Sequence, residues 1–385
     1  MSFRIADEKP VARIKVFGVG GGGGNAVNTM VKSGLQCVEF IAANTDKQAL
    51  AQSRADICLQ IGPGVTKGLG AGSNPEVGFL AAHESIEEIR ESLLGADMVF
   101  VAAGLGGGTG TGAAPVVAKT AKELGILTVA VVSKPFSFEG KLKKKYAEAG
   151  WQELRKHIDS IITVANDRLL TMMPKSKFDN AMGMADSVLL QAVKGISDII
   201  NVPGIINADF ADLRTVMQEV GPAIMGTAIA AGEDRAVEAA KRAIDNQLLE
   251  DVGISGARGL LINVSASRES LSLPEYAAAL NLVQEQIDDE ARVVPGCVYD
   301  DELGDEMQIT VIATGVGDNS QKRNTISSLM DLSRSYQGSG QDAFSLSDEQ
   351  AQANADNLEA GRDKADNDNI EIPSYFRNQT LPDAV

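Results

Sequence analysis

Asp97-Met98-Val99-Phe100-Val101-Ala102-Ala103 runs directly into Gly104-Leu105-Gly106-Gly107-Gly108-Thr109-Gly110-Thr111-Gly112, a stretch in which every residue but Leu105 is Gly or Thr. The first part reads as a buried strand. The second has few side chains to pack, so its backbone N–H groups can approach a ligand closely. A helical pattern follows over Val116–Leu124, with Pro115 expected in its first turn, where proline is tolerated. A strand, a glycine-rich turn and a helix in that order form a cradle for phosphate, and Thr109 and Thr111 add hydroxyl donors.

The same order occurs upstream. Ile14–Val19 reads as a strand, Gly18-Val19-Gly20-Gly21-Gly22-Gly23-Gly24 follows it, and Ala26–Gly34 has helical spacing. This run satisfies GxGxxG, and Asp46 follows the next strand, Val38–Ala43, at the spacing of about twenty residues that marks a dinucleotide site. Taken alone it favours a nicotinamide dehydrogenase. A tight turn with no ligand would need fewer glycines than the five in a row here. Two such loops at neighbouring strand ends suit a triphosphate better than a dinucleotide. No GxxxxGK[ST] is present, so the P-loop is excluded.

Further strands are expected at Leu127–Ser133 and Ile161–Ala165, with helical spacing at Ile86–Leu94. Strands alternating with helices imply a parallel sheet covered on both faces, with ligands at the carboxyl ends of the strands. Residues 178–201 carry one long helical pattern, in which Ala185, Leu189, Val193, Ile196 and Ile200 recur at steps of three and four. A second unit follows, with helices at Ala236–Leu248 and Leu273–Ile287 and strands at Gly259–Ser265 and Met307–Ala313. The pattern also allows a short strand at Cys297–Tyr299. The expected fold is α/β: a parallel-sheet nucleotide-binding domain, a long central helix, a second smaller α/β domain and a disordered C-terminal tail.

Composition narrows the function. The 385 residues carry a formal charge of −17, which argues against nucleic acid as partner. A nucleotide would have to be held by backbone N–H groups, helix N-termini and a metal ion. Copies of so acidic a chain repel one another, so self-association should respond to salt and divalent cations. Three cysteines at wide spacing and two histidines give no disulfide framework, zinc site or histidine triad. The N-terminal residues hold no apolar signal core and no run spans a membrane, which points to the cytoplasm. Residues 318–368, rich in Ser, Gln, Asn and Asp, read as a disordered linker. Its typical span is roughly 40 Å. Apolar residues return in Ile370-Glu371-Ile372-Pro373-Ser374-Tyr375-Phe376-Arg377, the form of a docking peptide.

GGGTGTG at 106–112 resembles the signature of the tubulin/FtsZ superfamily. The chain resembles its FtsZ branch from about Ala12 to Gly317, through GVGGGGGNAVN (18–28), NTD (44–46), GAGSNP (70–75), KPFSFEG (134–140), ND (166–167) and NADFADL (207–213), and again in the terminal peptide. The resemblance implies an N-terminal extension (1–12), a GTP-binding domain (13–177), a central helix (178–204), a C-terminal activation domain (205–317), a linker (318–368) and a partner-docking peptide (369–385). It implies GTP or GDP as ligand, with Mg²⁺ held mainly through the phosphates. Gly20, Gly21, Gly22, Gly23, Gly24 and Asn25 would hold phosphate, with Gly104, Gly106, Gly107, Gly108, Thr109, Gly110, Thr111 and Gly112 of the second loop. Ala71, Gly72 and Asn74 would close over the γ-phosphate. Asn44 and Asp46 would lie near phosphate or ribose, and Glu139 near the ribose, with Pro135 and Lys143 beside it. Asn166 and Asp186 would read guanine, with Met182 where a ring-stacking Phe is common. Lys143 stands where Arg is common, and keeps the charge without the bidentate fork. A carboxylate at Asp186 makes physical sense, because it can accept from the adjacent N1–H and N2–H donors of guanine and would face an acceptor on adenine. Outside this context Asp186 is an ordinary helix carboxylate.

Asp209 and Asp212, three apart, share a helix face. On spacing alone they are acidic residues favoured at a helix N-terminus. The resemblance implies that Asn207, Asp209 and Asp212 enter the nucleotide site of the next subunit in a head-to-tail polymer and orient the attacking water. It also implies a division-ring filament at mid-cell and docking of Ile370–Arg377 on membrane-associated adaptors such as FtsA or ZipA. A dehydrogenase and a nucleotide-binding scaffold without turnover are the competing readings. The first lacks a well-placed hydride-transfer acid, and the intact NADFAD segment argues against the second.

Overall fold

The computed structural model describes residues 12–172, 178–202, 204–219, 221–245 and 253–316. The linker, the terminal peptide and most of the N-terminal extension expected above lie outside the described residues.

Six strands form the first sheet: β1 (Ile14–Val19), β2 (Val38–Asn44), β3 (Ile57–Gln60), β4 (Met98–Gly104), β5 (Leu127–Lys134) and β6 (Ser160–Ala165). Their order is β3-β2-β1-β4-β5-β6 and every pairing is parallel. The order reverses between β1 and β4, so a crevice opens at the carboxyl ends of those two strands. Around the sheet run α1 (Gly20–Lys32), α2 (Lys47–Ala51), α3 (Pro63–Thr66), α4 (Pro75–Glu84), α5 (Ile86–Leu93), α6 (Thr109–Glu123), α7 (Lys141–Arg155) and α8 (Asn166–Met172). The central helix α9 (Phe178–Asn201) follows, then α10 (Phe210–Met217), α11 (Arg235–Ile244) and α12 (Leu273–Gln284). The second sheet takes β7 (Ile224–Ala231), β8 (Gly259–Ala266), β9 (Arg292–Tyr299) and β10 (Glu306–Thr314) in the order β7-β10-β8-β9. Only β8 and β9 pair in parallel there.

Neighbouring residues along the strands belong to different cores, as the two-residue side-chain period requires of a sheet buried on both faces. Val16, Phe100 and Val129 pack with Met30 of α1 and with Leu189 and Val193 of α9. Phe17, Val99 and Val101 pack on the other face with Val117 of α6 and Leu154 of α7. The first of these cores does not stop at the domain boundary. It continues through α9 into Met225, Leu261, Val294 and Ile312 of the second sheet. The alternate residues Ile262, Val264 and Val311 face α11 and α12.

The expected β1 and α9 have the observed bounds. The helices after the glycine runs begin earlier than their apolar periodicity indicates, at Gly20 instead of Ala26 and at Thr109 instead of Val116. Glycines contribute nothing to an apolar pattern, yet they take helical dihedrals when packing demands it. Pro115 therefore lies in the second turn of α6, not in the first.

Candidate functional site

The two glycine runs meet at the switch point. A Cβ added at Gly20 would lie 2.7 Å from the nitrogen of Gly110, and one at Gly22 would lie 2.9 Å from Cα of Gly104. At Gly23 it would meet the carbonyl of Ala102 at 2.3 Å, and at Gly112 that of Pro75 at 1.9 Å. These glycines are required by the close packing of α1 on β4 and α6, and of α6 on α4. Gly21, Gly24, Gly72 and Gly107 are different, because nothing lies within 4 Å of an added Cβ. They face open space, where a ligand would meet bare backbone. The N-termini of α1 and α6 thus stand side by side, with no side-chain cap and no acidic residue in either first turn. Unpartnered N–H groups and aligned peptide dipoles make such a pair favourable for an anion.

The neighbouring loops fold onto this pair. Asn74 caps α4 by accepting from the N–H of Glu76 at 3.0 Å. The turn Ala71–Asn74 rests on Gly108, where an added Cβ would lie 2.8 Å from Cβ of Ala71 and 2.9 Å from Asn74 N. Asp46 caps α2, accepting from Gln48 N and Ala49 N at 2.8 and 3.3 Å, so its carboxylate has a local task. Asn44 is buried at the end of β2 and lines a cavity shared with Gly20, Gly21, Gly24 and Asn25. Thr111 is fully buried and its hydroxyl accepts from Gly106 N at 2.8 Å, so it shapes the second loop from inside. Thr109 is held differently, with its hydroxyl 2.7 Å from that of buried Thr45. Thr45 was not singled out from the sequence. Its only signal there is its place between Asn44 and Asp46.

On the other side of the switch point, Pro135 and Lys143 close on Gly106. Glu139 accepts from Phe136 N at 2.9 Å and pairs with Lys143 at 3.0 Å. Asn166, the residue after β6, is buried with its carboxamide oxygen unpartnered. A buried acceptor without a protein donor is unusual in a folded chain. Asp186 projects from α9 in a half-buried setting, where burial pushes its pKa up to about 6. It remains largely ionised at neutral pH, and no donor to it is found among the described residues. The side chain of Met182 lies outside the described residues.

Asn207, Asp209 and Asp212 are not brought to this cradle. All three are exposed. Asn207 holds the turn after α9, accepting from Gly204 N at 2.8 Å and donating to Val202 O at 2.7 Å. Asp209 caps α10 by accepting from Asp212 N at 2.7 Å. Asp212 itself has no side-chain partner among the described residues. Their position follows from two contacts. Arg214, on the same helix, donates to Gly125 O at 3.3 Å, just past the C-terminal end of α6. Asn201, the last residue of α9, donates to Cys37 O at 3.2 Å, just before β2 begins. The cradle sits at the other end of both α6 and β2. The 15 residues of α6 span about 22 Å. The acidic pair therefore lies at the amino ends of the strands and cannot reach the cradle of its own chain. Among the described residues no cluster of three His, Cys, Asp or Glu could hold a metal ion, and no helix is long and apolar enough to cross a membrane.

Comparison with known proteins agrees with this geometry. Residues 13–174 match the model of the Tubulin/FtsZ family, GTPase domain, and residues 221–317 match the FtsZ family, C-terminal domain. The Cell division protein FtsZ of Azotobacter vinelandii is 54% identical over 322 residues, covering 83% of this chain and 82% of that protein. Its Pseudomonas putida counterpart is 48% identical over 396 residues, 98% of this chain and 99% of the other. Of solved structures, an empty FtsZ dimer from M. jannaschii superposes with a TM-score of 0.76 at 40% identity, over 80% of this chain and 89% of that one. CetZ2 from Haloferax volcanii, in a GTPγS-bound protofilament, shares the fold at 19% identity and a TM-score of 0.67, over 83% of this chain and 99% of that one. The chain belongs to the FtsZ family and carries the GTPase domain this family shares with tubulin, so it binds guanine nucleotide and hydrolyses GTP.

Proposed function

We infer that this GTPase works only when assembled: subunits stack head to tail into filaments of the bacterial division ring, and each GTP is hydrolysed between two subunits. The observation that carries this reading is the separation of the acidic segment from the cradle. The cradle supplies N–H groups for phosphate charge but, beside it, Asp46 and Glu139 are already engaged as cap and ion-pair partner. A free carboxylate is found instead on Asp212, exposed at the opposite end. A heterologous contact that repeats without closing puts the second end of one copy on the first end of the next and builds a filament.

In that interface Asp212 orients and polarises the attacking water, Asp209 fixes the helix end that presents it, and Asn207 holds the preceding turn. The water oxygen bonds to the γ-phosphorus, and the bond to the bridging oxygen breaks with its electron pair going to GDP. One water proton stays on the phosphate formed, the other is released to solvent, and GDP and phosphate leave. The cradle N–H groups stabilise the charge on the phosphate oxygens. A Mg²⁺ ion, if bound, would be held mainly through the phosphates and not by a cluster of side chains among the described residues, and would supply positive charge that offsets theirs. Asn166 and Asp186 accept from guanine. The reading extends to the cytoplasm at mid-cell as location, and to FtsA- or ZipA-type adaptors docking on Ile370–Arg377.

The test is the dependence of turnover on protein concentration. GTP hydrolysis per subunit should be near zero in dilute protein and rise steeply above a threshold that coincides with filament formation. A rate per subunit that stays flat across that range would mean each chain completes its own site.

A further inference from the structure

Thr45 follows β2 and is fully buried. Its hydroxyl lies 2.7 Å from that of Thr109, the first residue of α6, and among the described residues each hydroxyl has the other as its only side-chain partner. Each hydroxyl carries one proton, and only one proton can lie between the two oxygens. Were Thr109 the donor, the Thr45 proton would be buried with no other acceptor among the described residues, which is costly. With Thr45 as donor its proton is satisfied, and the Thr109 proton is left for another acceptor; Thr109, unlike Thr45, is not wholly buried, at 8% exposed, and it opens the helix α6 beside the cradle. Burial thus sets the direction of the pair. The Thr45 carbonyl also accepts from Gly70 N at 3.2 Å and from the Thr66 hydroxyl at 3.3 Å, so the same residue anchors the turn that carries Ala71–Asn74.

We propose that Thr45 is a positioning residue of the phosphate cradle: it donates its hydroxyl proton to Thr109 and thereby commits Thr109 as a donor to a phosphate oxygen of the bound nucleotide. The proposal rests on the reading of the glycine loops as the phosphate cradle. A hydroxyl that accepts one hydrogen bond gives a stronger one in turn, most of all to an ionised oxygen. Thr45 touches no phosphate and acts through Thr109 alone.

The test uses full-length Thr45→Val, Thr109→Val, the double variant and Thr45→Ser, with GTP affinity and nucleotide-free melting measured on each. Thr45→Val should weaken GTP binding roughly three- to tenfold. Its melting should hardly move, because the Thr109 hydroxyl is left facing the open cradle. Thr109→Val should weaken binding and also lower the melting temperature, because it strands the buried Thr45 proton. The double variant should bind GTP no more weakly than Thr109→Val and regain part of its lost melting temperature. Thr45→Ser should restore affinity. A Thr45→Val protein with lowered melting and unchanged GTP affinity would overturn the proposal, since the donor would then be Thr109. Additive losses of affinity in the double variant would overturn it as well. Unchanged affinity in Thr109→Val would also overturn the proposal, since its hydroxyl would then give the phosphate nothing; the cradle reading itself falls only if Gly107→Ala, which opens onto the cradle, likewise leaves GTP affinity unchanged.

Discussion

The two ends of the first sheet are built on opposite plans. At the carboxyl ends of the strands, backbone lies on backbone, hydroxyls are sealed inside, and charged side chains hold one another. At the amino ends, the segment leading into α10 and the helix start offer exposed carboxylates and the exposed apolar side chains of Ile205 and Ile206. One end is preorganised to hold an anion and the other is prepared to be covered. On the reading proposed above neither is a hydrolytic site alone, and the contrast supports a site made of two halves from two copies.

The largest expected effect breaks the second half. Asp212→Asn should bind GTP with normal affinity yet lose about 100-fold or more in turnover, the range for removing a general acid or base. Its filaments should persist. Mixed with unaltered protein, it should lower turnover by more than dilution explains. If the mixture shows only simple dilution, the carboxylate serves its own subunit. Asp209→Asn should be milder in structure, because Asn caps a helix as well as Asp.

The second effect concerns the first half. Asp186→Ala should weaken GTP binding roughly 10- to 100-fold, as expected for losing a charged acceptor, and narrow the preference for GTP over ATP. Burial raises this carboxyl to about 6, so it is ionised above that pH and protonates as pH falls through it. GTP affinity should therefore drop between pH 7.5 and 5.5 in the unaltered protein, and less in Asp186→Asn. Parallel pH profiles would remove Asp186 from base recognition.

A third pair of variants sharpens the distinction between packing and open glycines. Gly112→Ala places a methyl against the Pro75 carbonyl, and overpacking of this kind costs about 1–3 kcal/mol, visible as a lower melting temperature. Gly107→Ala meets nothing, so folding should be unchanged while GTP binding weakens. The smallest expected effect on turnover is that of deleting residues 369–385. GTP hydrolysis should stay near that of the full chain while FtsA or ZipA binding is lost. Failure of the truncated chain to polymerise would instead give the peptide a part in assembly.

Much of this organisation is legible in the residues. β1 and α9 were readable to the residue because their apolar side chains carry the pattern that burial needs. The paired glycine runs announced the cradle, since nothing in a sheet core calls for so many missing side chains. Other elements were silent for physical reasons. β7, with the sequence Ile224–Ala231, is mostly small residues and shows no alternation. α7 buries little beyond Ala147, Gly150 and Leu154, so its lysine-rich sequence reads as solvent-facing chain. Thr45 is invisible for another reason: its importance comes from a partner 64 positions away, and no local spacing encodes that.

The core shared through α9 bears on how the molecule comes apart. Leu189 and Val193 lie in the same apolar cluster as Phe100 of one sheet and Leu261 and Ile312 of the other. Removing either sheet would strip the helix of half its cover and leave it a poor lid for the remainder. The described fold should accordingly melt in a single heat-capacity peak, with no separate shoulder for either half. A GTPase fragment ending before α9 should behave as a partly collapsed chain, not as a small working enzyme.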